Sequence, residues 1–271
     1  MAILAEYHRP KTLAAALDLL ADRTVRRLPL AGGTYLVGAL ETRQRRDVDG
    51  VVDLAALNLS YLQQDGAGLR VGAMTTLTGL LEHPLGADLA GGILPRTARF
   101  EGPLNLRNAA TVGGLIALAE PDSELFAALL ALNAAVVTVD RDGVESCRQL
   151  DDFVLPTSGS AGRPALITEI RLPLDPAAGG HARIARTPMD RCIVAAVVVA
   201  ELNGRSSQGG PAAAPGDFAT RTGLCGVGTR PQLAGRPLTP KGDYKGSAAY
   251  RAAMAEVVVN RAQADAASLL L

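Results

Sequence analysis

The spacing of apolar residues changes along the chain, and each change predicts an element. After Thr12, Leu13, Ala16, Leu17 and Leu20 recur at helical intervals, and Thr12 can cap that helix. RRLPLAGG (26–33) reads as a short buried strand that stops at two glycines, and VDGVVDLAAL (48–57) as a second strand. LSYLQQDGAGLRVGAM (59–74) alternates around Asp65-Gly66, the pattern of a hairpin. TTLTGLLEHP (75–84) opens a helix that stops near Pro84, and LAGGILPRTARF (89–100) is helical or irregular. The densest signal is 107–140. It predicts a Gly113-Gly114 turn, a helix opened by Pro121 and its acids, and a β-branched strand at 135–139. ALITEIRLPL (165–174) is a strand closed by Pro173.

A boundary follows. DPAAGGHAR (175–183) is linker-like, so two domains are expected to meet near residue 175. Beyond it come a buried strand, CIVAAVVVAEL (192–202), and a hairpin tip or loop, GRSSQGGPAAAPGD (204–217). ATRTGLCGVGTRP (219–231) is a strand with a glycine exit. The segment 247–266 is a final helix with Ala249, Ala253, Val257 and Ala264 among its buried positions. Strands and helices mix without a repeat, which makes the fold class α+β.

Composition narrows the function. There are 27 basic and 27 acidic residues among 271, no surplus to grip nucleic acid or an acidic membrane surface. The longest apolar run is too short to span a bilayer, and Glu6 and His8 interrupt the N-terminus before any signal-like core. A cytoplasmic protein without an integral membrane segment is expected. Cys147, Cys192 and Cys225 lie too far apart in sequence for a disulfide framework or an iron–sulfur cluster, and each reads as a small buried hydrophobe. No metal site is expected.

The candidate chemistry lies in LAGGTYL (30–36) and TVGG (111–114). Glycine lets a ligand approach the backbone, and consecutive free amides make an anion-binding concavity. Thr34 adds a hydroxyl. Two such turns could hold an extended dinucleotide from two sides, although a lone Gly-Gly is more often only a turn. Neither GxGxxG with a following acid nor GxxxxGK[ST] is present.

At these residues the chain resembles the FAD-binding medium subunit of molybdenum hydroxylases, the family of carbon monoxide and xanthine dehydrogenases. The resemblance runs through YHRPKTLAAALDLLAD, LAGGTYL, GLRVGAMTTLTGL, NLRNAATVGGLIALAEPDSEL and ALITEIRLP, then GVGTRP and SAAYRAAMAEVVVNRA, in that order. It implies an FAD-binding domain over 1–175, with two α/β subdomains at about 1–57 and 58–175. A small C-terminal domain of antiparallel sheet and helices would cover 180–271. It implies a large molybdopterin-binding partner, a small partner with [2Fe-2S] clusters, and a dimer of heterotrimers. Electrons would pass from the clusters through FAD to an external acceptor, so this subunit has no catalytic nucleophile or base.

By position, the resemblance places cofactor contacts at Leu30, Ala31, Gly32, Gly33, Thr34, Tyr35 and Leu36. It adds Thr111, Val112, Gly113, Gly114, Leu115 and Leu118. Glu124 would bond the sugar-like chain, Leu166 or Ile167 would pack near the isoalloxazine, and Arg183 or Arg186 would meet phosphate. Arg107 would steady the approach to the second turn, and Glu120 and Asp122 read as helix-start charges. Tyr35, Leu115, Leu118 and Arg191 depart from the family pattern. A flavin-free scaffold subunit of the same complex is the alternative reading.

Overall fold

The computed structural model describes residues 4–66, 68–154, 165–174, 177–201 and 220–269. The first unit holds β1 (Glu6–His8), α1 (Leu13–Ala21), β2 (Arg27–Leu30), α2 (Leu36–Glu41) and β3 (Gly50–Asp53). Its three strands are parallel in the order β1-β3-β2. Thr12 caps α1 by accepting from the Ala15 amide, and Ala16 and Leu17 are buried against Val52 and Leu54.

The second unit begins with the antiparallel hairpin β4 (Leu62–Asp65) and β5 (Gly68–Gly72). Six helices follow: α3 (Leu77–Glu82), α4 (Pro84–Ala87), α5 (Ile93–Ala98), α6 (Leu104–Arg107), α7 (Val112–Leu118) and α8 (Glu124–Ala131). The strands β6 (Ala135–Asp140), β7 (Glu145–Gln149) and β8 (Ala165–Pro173) complete a sheet ordered β4-β5-β8-β6-β7. The third unit is an antiparallel sheet of β9 (Ala177–Ile184), β10 (Val194–Glu201), β11 (Thr220–Cys225) and β12 (Gln232–Leu233), with α9 (Ala248–Ser268) against it. Among the described residues, no helix is long and apolar enough to cross a membrane.

β10 shows how the units join. Ala195, Val197 and Val199 face the core that includes α8, while Val194, Ala196 and Val198 face α9. A strand buried on both faces needs apolar residues at every position, and the Val/Ala run supplies them. Two glycines let helices lie close. A Cβ on Gly180 would stand 1.9 Å from the Ala262 carbonyl oxygen on α9, and one on Gly223 would stand 2.0 Å from that of Ala127 on α8.

Four expectations are corrected here. The segment read as a linker carries β9, whose residues pair with β10 from Ala177↔Glu201 to Ile184↔Val194. Gly113 and Gly114 form no turn. They sit in the first turn of α7, capped by Thr111. On α9, Ala249, Ala253 and Ala264 are exposed and Val257 is half-buried, because docking against β9 and β10 buries Arg251, Ala255, Val258, Ala262 and Ala266 instead. Cys147 is exposed on β7, while Cys192 and Cys225 are buried together with their sulfurs 3.4 Å apart. The expected loop at 204–217 lies outside the described residues.

Candidate functional site

The parallel strands of the first unit end side by side, and Leu54 donates to the Leu30 carbonyl at 2.9 Å. Ligands of open α/β sheets bind beyond the carboxyl ends of the strands. Here β2 runs directly into Ala31–Tyr35 before α2 begins. Gly33 has φ +72°, a left-handed conformation that glycine adopts without strain. Among the described residues, the amides of Gly32, Gly33 and Thr34 find no acceptor within the chain. Gly32 also abuts the second unit: a Cβ there would lie 1.8 Å from the Ala109 carbonyl oxygen.

The second motif is built differently. Val112 donates to Thr75 O at 3.0 Å and Gly113 to Ala73 O at 2.8 Å. Gly114 donates to Thr111 Oγ1 at 3.1 Å, and Leu115 to Thr111 O at 2.9 Å. All four amides are therefore engaged within the protein. Gly113 serves close packing, since its Cβ would meet Ala73 at 2.8 Å.

A cavity of ≈ 820 Å³ lies between the two motifs. Ala31, Gly32, Gly33, Thr34, Tyr35 and Leu36 line it, as do Thr111, Gly113, Gly114, Leu115, Leu118, Leu166 and Ile167. Leu30 and Val112 do not line it.

Glu124 and Arg183 do not line the cavity. Glu124 is buried and accepts from His181 Nε2 at 2.6 Å and Arg183 Nε at 2.9 Å. Arg183 also donates to the Pro188 and Asp190 carbonyls and lies 3.9 Å over the Phe100 ring. Both side chains are committed to the seam between α8 and β9. Arg186 lies 6.0 Å over the ring of Tyr244 and does not line the cavity. Arg107 donates to the Arg99 and Gly102 carbonyls, bracing the loop before α6.

The sequence reading missed Glu101. It lines the cavity although its side chain is only 5% exposed. Ser123 Oγ and the Leu125 amide donate to it at 2.9 and 2.8 Å. Burial raises its pKa above 4.5, and neighbouring Arg191 offsets that only in part. Arg191 reaches the same wall from the third unit. It lies 3.2 Å from Glu101, 3.2 Å from Glu120 and 3.0 Å from Asp122. Burial works against its charge, but the carboxylates of Glu101, Asp122 and Glu120 more than reverse this and raise its pKa. Arg191 Nη2 stands within ion-pair distance of Glu101 and Asp122, yet its hydrogens align with neither. No motif marks Glu101. Only its burial near the cap of α8 makes it visible.

The family described as the FAD binding domain in molybdopterin dehydrogenase matches residues 3–175. The carbon monoxide dehydrogenase medium chain of Afipia carboxidovorans is 30% identical over 277 residues, covering 95% of this chain and 94% of the relative. The glyceraldehyde dehydrogenase medium chain of Sulfolobus acidocaldarius is 30% identical over 203 residues, covering 73% of this chain and 70% of the relative. Among solved structures, the reconstituted CO dehydrogenase from Oligotropha carboxidovorans has a TM-score of 0.83 at 26% identity, over 98% of both chains. Quinoline 2-oxidoreductase from Pseudomonas putida 86 shares the fold with a TM-score of 0.83 at 24% identity, over 100% of this chain and 99% of that one.

Proposed function

We propose a function from the premise that this chain belongs to the family of FAD binding domains in molybdopterin dehydrogenases. It is the FAD-binding subunit of an oxidoreductase. It relays electrons from [2Fe-2S] clusters in a small partner subunit to an external acceptor, while a large partner carries the molybdopterin cofactor. Two such heterotrimers pair in the assembly.

The residues fit FAD. The carrying observation is the set of open amides at Gly32, Gly33 and Thr34 beside a cavity sized for a cofactor. Leu115 and Leu118 line this cavity without filling it, which favours the flavin-binding reading over a flavin-free scaffold. The redox chemistry belongs to FAD when bound, and the protein supplies position and electrostatics. Gly32–Thr34 would hold the diphosphate with main-chain donors. Thr111 and the glycines of α7 shape the facing wall. Leu115, Leu118, Leu166 and Ile167 present apolar surface suited to an aromatic ring and keep water from it.

The test is the visible spectrum of the full-length protein purified with its complex. Stoichiometric flavin absorption is expected, together with molybdenum and iron–sulfur subunits in the same peak. A folded, colourless protein that takes up no added FAD refutes the reading.

A further inference from the structure

Among the described residues, Tyr35 is the one aromatic side chain that lines the cavity. It follows directly on the open amides of Gly32–Thr34 and heads α2. Its backbone is fixed there: Val37 donates to the Gly33 carbonyl and Ala39 to the Tyr35 carbonyl, each at 3.0 Å. The side chain is bare. Its hydroxyl has no hydrogen-bond partner among the described residues, and Tyr35 is 45% exposed. Leu118, the last residue of α7, lines the same cavity and is 40% exposed.

The other large apolar residues of the wall are spoken for. Leu166 and Ile167 line the cavity but pack into hydrophobic cores and are 5% and 8% exposed. Tyr35 and Leu118 belong to no such core among the described residues. Their apolar surface faces no partner within the chain, so the fold gains little from either side chain. A ligand in the cavity gains from both, because covering bare apolar surface is favourable. A dinucleotide anchored at Gly32–Thr34 must place its planar rings within the cavity that Tyr35 lines. Aromatic rings attract one another in offset or edge-to-face contact beyond the area they bury.

We propose that Tyr35 is the aromatic platform on which a planar ring of the bound dinucleotide packs, with Leu118 adding apolar cover from the second unit. This rests on the FAD-binding reading above. The contact is made by the phenol ring and does not need the hydroxyl. It adds to FAD affinity and leaves the stability of the flavin-free fold unchanged.

The experiment titrates FAD into the flavin-stripped full-length protein as wild type, Tyr35→Ala, Tyr35→Phe and Tyr244→Ala. Tyr244 is an exposed tyrosine outside the cavity and serves as the control. Tyr35→Ala is expected to bind FAD about tenfold more weakly with an unchanged melting temperature of the flavin-free protein. Tyr35→Phe and Tyr244→Ala should match wild type. Titrations with FMN and with ADP then identify the ring: Tyr35→Ala weakens FMN alone if the isoalloxazine packs there, and ADP alone if the adenine does. A second measurement uses only wild type. Nitration by tetranitromethane, located by peptide mass, should mark Tyr35 in the flavin-stripped protein and be suppressed there by FAD, while Tyr244 is marked equally in both. The inference is overturned if wild type binds FAD and Tyr35→Ala binds it equally well. It is also overturned if Tyr35→Phe is as weak as Tyr35→Ala, which would assign the effect to the hydroxyl, or if FAD leaves the nitration of Tyr35 unchanged. Failure of wild type itself to bind FAD overturns the parent function instead.

Discussion

At the scale of residues, the site depends on groups whose behaviour is set by their surroundings. Glu101 is the sharpest case. A carboxyl whose folded pKa is raised above its unfolded 4.5 binds its proton more tightly in the native state. Its contribution to stability is full below that value and is lost as pH climbs through the folded pKa. Glutamine at this position still accepts from Ser123 and Leu125 but does not titrate. The melting temperature of Glu101→Gln, measured relative to wild type, should therefore rise steadily from pH 4.5 towards neutrality. A difference that stays flat across that range refutes the raised pKa. Gly32 was legible because a bare backbone after a strand is itself a signal. Glu101 was not, because its partners Ser123, Leu125 and Arg191 are distant in sequence and an isolated glutamate carries no pattern.

At the scale of elements, alternating and helical spacing located the strands and helices well where one face meets one core. The α1 cap, the β4–β5 hairpin and β8 follow directly from their spacing. Glycine misled twice. Gly113-Gly114 has the composition of a turn, yet Thr111 nucleates a helix there and Gly113 is small because Ala73 lies against it. Gly179-Gly180 has the composition of a linker, yet Gly180 lets the α9 backbone approach the strand and Gly179 makes room for the Ala90 carbonyl ahead of α5. This second case is measurable. In Gly180→Ala the new methyl would meet Ala262 O at 1.9 Å and Ala266 N at 2.5 Å, both backbone atoms of α9. The helix must shift as a whole, at a cost of about 1–3 kcal/mol or more. Each kcal/mol corresponds to about 2–4 °C of melting temperature in a chain of this order of size. Gly38→Ala is the contrast, since nothing lies within 4 Å of its Cβ and α2 gains helix propensity. Thermal unfolding should rank wild type below Gly38→Ala and well above Gly180→Ala. Equal stability of wild type and Gly180→Ala contradicts the close packing. The α9 stripe was misread because the helix is rich in alanine on every side, so small residues alone do not reveal which side docks.

At the scale of the whole molecule, the family match ends at residue 175, but the hydrophobic core does not. Every residue of α8 is buried, and the cluster it anchors continues through Cys192, Ala195, Val197, Val199 and Cys225. The thiols of Cys192 and Cys225 belong to this continuity. Their pKa values are raised with both sulfurs buried, so they remain packed, protonated side chains. The hydrogen bonds of Glu124 with His181 and Arg183 tie α8 to β9 at the same seam. Arg191 then completes one wall of the cavity from beyond the seam. A chain ending at 175 would open α8 to water along the face that β10 and β11 cover, and would lose that wall. Residues 1–175 produced alone should retain helix and strand signals in far-ultraviolet dichroism. They should also bind a hydrophobic dye and melt without a cooperative transition, the signs of secondary structure without fixed packing. The full chain should unfold in a single transition with little dye uptake. A cooperative melt of 1–175 with no dye binding would mean that the third unit is an attachment. The shared core argues the opposite: the flavin-binding portion is held in its working shape by the domain that follows it.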